Sequence, residues 1–287
     1  MSWIRFTIAM VIFSPSLFRS FLFEGTTFRV YKNREFYGTE VFSGKLRSLL
    51  ECVSICNTNV SCAAVTYRTN GKWCVGLADS GVMYGKAEIE VVTAMKEDGW
   101  LIVFIGKQGC GAKVFDLWNG TSFTNPDVKY NDTICQCHYK SELVEDWDNI
   151  GIGKVILSLH QSDNGLSMST RGEAHIIFKG QDTNKTSWFS SSNVLSSSWT
   201  DLRSQPHSYF SMMGSFDISV NIARRFYINS LNMQCDSDLG WLIVVDNEPG
   251  LCSYENQPIP TFWFAGGSTL TKWIGGAAQK ADYMKIM

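Results

Sequence analysis

Four of the chain's nine cysteines fall within 23 residues: Cys52, Cys56, Cys62 and Cys74. No other feature restricts local folding as much, because any covalent or metal-centred closure has to satisfy this spacing. Ser48 with Glu51 three residues later is a capping box, which predicts a helix starting at Leu49. Cys52 and Cys56 then lie one turn apart on one helix face. Sulfurs stacked that way suit two separate bridges to a neighbouring segment better than one bridge to each other. Ala63–Tyr67 reads as a strand, Asn70-Gly71 as a two-residue hairpin loop, and Trp73–Leu77 as the returning strand. The stretch is expected to be a helix lying on a hairpin. Zinc is the competing closure, but the close cysteine pairs of a structural site do not occur twice here.

Cys52-x3-Cys56, five residues to Cys62, the aromatic Tyr67 and Cys74-x-x-Leu77 together resemble the PAN/apple superfamily, over residues 21 to about 97. The resemblance implies an α+β module, a helix on a β-sheet, with bridges Cys52–Cys74 and Cys56–Cys62. Two bridges contribute about 2–4 kcal/mol each, which matters in so small a module. Family members carry Cys-x-Leu where this chain has Cys74-Val-Gly-Leu77, and the third bridge of apple domains proper has no cysteines here. The resemblance also implies binding of proteins or carbohydrates through exposed faces. Arg68, Lys72 and Trp73 near the hairpin tip are the candidate contacts. The competing reading packs Trp73 over a disulfide and leaves Arg68 and Lys72 as a solvated turn.

The compartment follows from the N-terminus and the sequons. Arg5, the apolar run Phe6–Phe13, and Ser14, Pro15 and Ser16 read as a signal peptide over residues 1–20. That run is too short to span a bilayer, which takes about 20 apolar residues. N-x-S/T sequons stand at Asn59, Asn119, Asn131 and Asn184. With many cysteines they agree on a secreted, extracellular glycoprotein with no stable membrane span. A formal net charge of −2 supplies no basic excess for nucleic acid.

Lys96-Glu97-Asp98-Gly99 is the expected boundary, giving a second module over residues 98–287. Its texture is all strand: Trp100–Ile105, Lys113–Trp118, Lys154–His160, His175–Phe178, Arg225–Ile228, Trp241–Val245 and Thr261–Phe264. The fold class expected for it is an all-β sandwich or jelly-roll-like domain. It resembles the tryptophan-rich region that accompanies PAN modules in secreted invertebrate proteins, a region that brings no activity with it. Cys235 and Cys252 flank one strand and are expected to pair. Cys110 is expected to pair with Cys135 or Cys137, leaving one thiol free to link chains into an oligomer.

Chemistry is sparse. Nucleotide loops, the Gly-x-Ser-x-Gly elbow and the His-Glu-x-x-His helix are all missing, and the four histidines have no metal-ligand spacing. No cofactor and no metal are therefore expected. Asp236 and Asp238 lack the later ligands of a calcium loop. Glu142, Glu145, Asp146 and Asp148 surround Trp147, which suits either a sugar cleft or a solvated turn. Trp188 and Trp199 frame a Ser/Asn-rich loop and are the tryptophans expected to be partly exposed for stacking on sugar. The expected function is non-catalytic binding of an extracellular carbohydrate or protein. The alternatives are a carbohydrate hydrolase with paired carboxylates and an extracellular matrix or oligomeric component.

Overall fold

The computed structural model of the chain describes residues 19–23, 26–32, 34–37, 40–78, 80–86, 91–96, 100–121, 137–149, 152–161, 173–218, 222–232 and 235–287. It has two compact units, Met1–Ile102 with Pro126–Asp132, and Val103–Asn125 with Thr133–Met287. Among the described residues no helix is long and apolar enough to cross a membrane.

The first unit runs β1 (Arg19–Phe23), β2 (Thr26–Lys32), β3 (Arg34–Tyr37), β4 (Glu40–Lys45) and α1 (Leu49–Thr58). It continues through β5 (Ala64–Arg68), β6 (Trp73–Leu77), β7 (Ser80–Lys86), β8 (Val91–Lys96) and β9 (Trp100–Ile102). Six strands form a sheet in the order β1-β2-β8-β5-β6-β4, and β3-β7-β9 form a second, smaller one. Helix α1 starts where its cap predicts. Ser48 Oγ accepts from the Glu51 N–H at 3.2 Å. The return bond lands one residue early, with Glu51 Oε2 accepting from the Arg47 N–H at 2.7 Å. Cys52, Val53 and Cys56 face Val65, Tyr67 and Cys74 in one buried cluster.

The second unit runs β10 (Phe104–Lys107), α2 (Val114–Asn119), β11 (Tyr139–Lys140), β12 (Lys154–His160), β13 (Ala174–Lys179) and β14 (Val194–Ser197). Then come β15 (Tyr209–Ser211), β16 (Ser215–Asp217), β17 (Ile222–Leu231), β18 (Leu239–Val245) and β19 (Thr261–Ala265). The last three are β20 (Thr271–Lys272), β21 (Ala278–Ala281) and β22 (Tyr283–Ile286). One sheet has the order β11-β10-β22-β12-β13-β14 and the other β15-β17-β18-β19-β21. Rings from the two sheets meet: Phe178 on β13 lies 6.2 Å from Phe210 on β15. Trp118 contacts Phe104 of one sheet at 5.4 Å and Phe226 of the other at 6.4 Å. The unit is β-rich, with an aromatic interior.

Two expected strands come out differently. The run Trp100–Ile105 is divided: Ser80–Val82 pair in parallel with Trp100–Ile102 in the first unit, while Phe104 and Ile105 pair with β11 and β22 in the second. Lys113–Trp118 is helical because Asp246, 1% exposed, accepts from the Val114 and Phe115 N–H groups at 3.1 and 2.9 Å. A carboxylate far away in sequence thus caps a helix that Lys113 does not cap itself. Residues 1–18 of the expected leader, Asn131 and Cys135 lie outside the described residues, while Arg19 and Ser20 open β1.

Candidate functional site

The hairpin end of the first unit is built by covalent and backbone closure. Cys52 on α1 is bridged to Cys74 on β6, with a Cα–Cα distance of 5.9 Å. Cys56 is bridged to Cys62 just beyond the helix at 5.2 Å. Cross-strand register places Tyr67 opposite Cys74 and Arg68 opposite Trp73. Because Cys74 turns toward the helix, strand alternation turns Trp73 the other way, and it is 42% exposed. The indole therefore does not disappear over the disulfide.

The turn between β5 and β6 is longer than the two-residue loop expected from Asn70-Gly71. Arg68 and Trp73 are the last pair, and the left-handed residues are Gly71 (φ 92°) and Lys72 (φ 55°). The Lys72 carbonyl is taken by the Leu46 N–H at 2.8 Å. That bond, with Lys45 opposite Trp73, brings the end of β4 beside the turn. Lys45, Arg47 and Lys72 are exposed there and Arg68 is half-buried. Lys45 and Arg68 thus stand opposite Trp73 on the two neighbouring strands, Lys72 precedes it and Arg47 follows the Leu46 that bonds the turn, while Glu51 is engaged at the helix N-terminus. Lys45 and Arg47 were not among the sequence candidates, because only the β4–β6 register reveals them. Asn59 caps the far end of α1 and its Oδ1 accepts from the Ser61 N–H at 3.0 Å. Ten helical residues at about 1.5 Å each separate that sequon from the hairpin end by about 15 Å.

In the second unit Trp188 and Trp199 are not surface rings. They are 0% and 2% exposed. Trp188 stacks on Trp147 at 6.1 Å, and its Nε1–H donates to Lys185 O at 3.1 Å. Trp199 Nε1–H donates to Ala265 O at 2.9 Å. Backbone carbonyls satisfy the indole N–H groups, so the rings can be buried without an unpaired donor. The Ser/Asn-rich loop serves the backbone too, with Asn193 Nδ2 donating to the Ser187 and Trp188 carbonyls.

The acidic cluster does not present its tryptophan to solvent either. Trp147 is buried, and Glu145 is ion-paired with Lys140 at 2.6 Å and Lys185 at 2.9 Å. Asp238 and Glu255 are a buried carboxylate pair, yet both are bound to Arg224, at 3.1 and 2.7 Å. Asn119 and Asn184 are exposed.

Cys235 is bridged to Cys252, and Cys110 to Cys137. Cys110, Cys137 and His138 hold their ligand atoms within 4.8 Å of one another. The sulfurs are spent on each other, however. His138 Nδ1 accepts from the Lys107 N–H at 3.1 Å, and Nε2 lies 2.8 Å from Ala112 O. Burial lowers the His138 pKa, so the ring is a neutral tautomer engaged on both sides. As folded, this cluster offers a metal no open ligand.

No curated protein and no solved structure matches the chain. The resemblance expected for residues 98–287 therefore finds no relative behind it. The segment that carries α1, the hairpin and its two staples matches the family model of the PAN domain over residues 25–95.

Proposed function

We propose that the chain is a secreted, non-catalytic binding protein whose PAN unit recognises an extracellular protein or carbohydrate through its hairpin end. The observation that carries this reading is the exposed Trp73 with Lys45 and Arg68 as its cross-strand neighbours and Arg47 and Lys72 beside the turn, within a segment that matches the PAN domain, a family that binds such partners. An indole on a rigid, disulfide-stapled strand loses little entropy on binding, and the cations add steering and register. Four disulfides and exposed sequons at Asn119 and Asn184 support the extracellular assignment. The second unit is read as two sheets packed on an aromatic interior. The hydrolase alternative loses weight because Asp238 and Glu255 are both buried and ion-paired to Arg224.

The test is a glycan and extracellular-protein array probed with the secreted chain and with Trp73→Ala and Lys72→Glu. Loss of at least about tenfold in affinity for any captured partner supports the hairpin end, since a central aromatic contact is worth more than about 1.4 kcal/mol. Capture of a partner equally by the wild type and both variants places recognition elsewhere.

A further inference from the structure

Two sequons that are far apart in sequence meet in space within the second unit. Asn119 is the last residue of α2, and Asn184 sits in the turn that follows β13. Both are exposed. Lys185, the middle residue of the second sequon, joins them: its Nζ donates to the Asn119 carbonyl at 3.1 Å. The Lys185 carbonyl accepts from Trp118 Nε1–H at 2.8 Å and from Trp188 Nε1–H at 3.1 Å. One lysine side chain lies between the two sites and neighbouring Cα atoms are about 3.8 Å apart, so the two asparagines are at most about 16 Å from each other. Their base is firm. Trp118 and Trp147 both pack on Trp188, at 6.0 and 6.1 Å, and Glu145 holds Lys185 at 2.9 Å.

The side-chain amides are arranged for substitution on nitrogen. Asn184 Oδ1 accepts three hydrogen bonds: from the Thr186 N–H at 3.0 Å, from Thr186 Oγ1–H at 3.0 Å and from the Ser187 N–H at 2.8 Å. Its Nδ2 donates none among the described residues. Asn193, which is in no sequon, does the reverse: its Nδ2 donates to the Ser187 and Trp188 carbonyls. A bond from sugar to Asn184 Nδ2 therefore leaves the turn intact, because the oxygen keeps all three donors. The Asn119 side chain makes no hydrogen bond among the described residues either; Lys185 binds only its main-chain carbonyl.

We infer that Asn119 and Asn184 are both N-glycosylated and that the two oligosaccharides crowd each other, so that both leave the cell as oligomannose chains. The inference rests on the reading of the chain as secreted. In each transfer the amide nitrogen attacks the anomeric carbon of a lipid-linked oligosaccharide pyrophosphate. An N–C bond forms, one Nδ2 proton passes to solvent, and the lipid pyrophosphate leaves with the electron pair of the broken C–O bond. Attachment precedes folding, so the folded structure has only to spare the nitrogen, and it does so at both sites. Each oligosaccharide is bulkier than the gap between the two roots. A trimming glycosidase has to enclose the terminal mannose of one chain, and the other chain occupies that space. The same pair roofs the Glu145–Lys185 ion pair and closes this patch to a protein partner.

The test expresses the full chain in mammalian cells and reads each site by glycopeptide mass spectrometry and by digestion with endoglycosidase H, which releases oligomannose but not complex chains. Both sites are expected to be occupied and cleaved in the secreted wild type. Asn184→Asp keeps the Oδ1 acceptor but cannot carry sugar, and Asn119→Gln removes the other root without touching a described side-chain hydrogen bond. In each variant the remaining oligosaccharide is expected to mature, its cleaved fraction falling at least about twofold as the bulk of its neighbour is lost. Secreted protein that is empty at either site, complex chains at both sites of the wild type, or an unchanged cleaved fraction in either variant overturns the inference and leaves the secretory reading in place. A chain that never enters the secretory pathway overturns both.

Discussion

Asp246 is the most informative single group to perturb. Its carboxylate is buried against the first turn of α2, with Arg225 and Asp116 as its charged neighbours. Desolvation pushes its pKa up to about 6 from 3.8, against the opposing pull of the Phe115 and Val114 N–H groups and Arg225. A folded-state pKa above the unfolded value means that the folded protein holds its proton longer as pH rises. This contribution to stability is therefore greatest below pH 3.8 and is lost as pH climbs through about 6. Two pKa units at about 1.4 kcal/mol each give about 3 kcal/mol, most of it between about pH 4 and pH 7.

The assay is urea unfolding of wild type and Asp246→Asn at several pH values, followed by the fluorescence of the buried tryptophans. His160 must be subtracted. Burial and Lys285 lower its pKa to about 3, so its contribution runs the other way, lost as pH falls below 6.5. It is common to both proteins and cancels in their difference. The expected difference, wild type minus variant, falls by about 2–3 kcal/mol from pH 4 to pH 7. At pH 7 the variant is at least as stable as the wild type, although one α2 N–H bond is weakened by about 1 kcal/mol. A difference that is flat or rises with pH refutes the reasoning. It would mean that the two N–H donors and the helix dipole outweigh desolvation.

Two further outcomes test the packing. Trp188→Ala should cost about 3–5 kcal/mol by urea unfolding while leaving partner affinity at the hairpin end unchanged; a cost below about 0.5 kcal/mol would return that ring to the surface. Joint replacement of Cys52 and Cys74 by serine should lower the stability of the first unit by about 3 kcal/mol, read by hydrogen exchange of β5 and β6, and should weaken partner binding in parallel.

The cysteine-rich segment was legible because its information is local. A cap, a one-turn spacing and a hairpin all act within 30 residues, and the structure follows them from Ser48 to Leu77. Hydrophobic runs likewise identified β12, β13, β18 and β19. What the sequence misassigned depends on distant partners. Nothing near Val114 indicates that Asp246 caps it, so β-branched and aromatic residues at 113–118 read as a strand. Nothing near Trp188 indicates that Trp147 and Phe178 will enclose it. Polar loop composition suggested exposure, but those polar groups bond to the backbone around the rings instead.

The place of β22 has a consequence for when this protein can fold. Residues 283–286 lie inside their sheet, between β10 and β12, and Met287 exchanges both backbone hydrogen bonds with Ile156. Phe104 finds its partner Ile286 across nearly the whole length of the unit. On the ribosome, β10 and β12 emerge early and stand with facing edges unfilled until translation has passed residue 287. A gap of that kind invites pairing with the wrong strand, and pairings so distant in sequence form slowly. The second unit can therefore complete its folding only once residue 287 has emerged, whereas the stapled helix and hairpin of the first can form much earlier in synthesis.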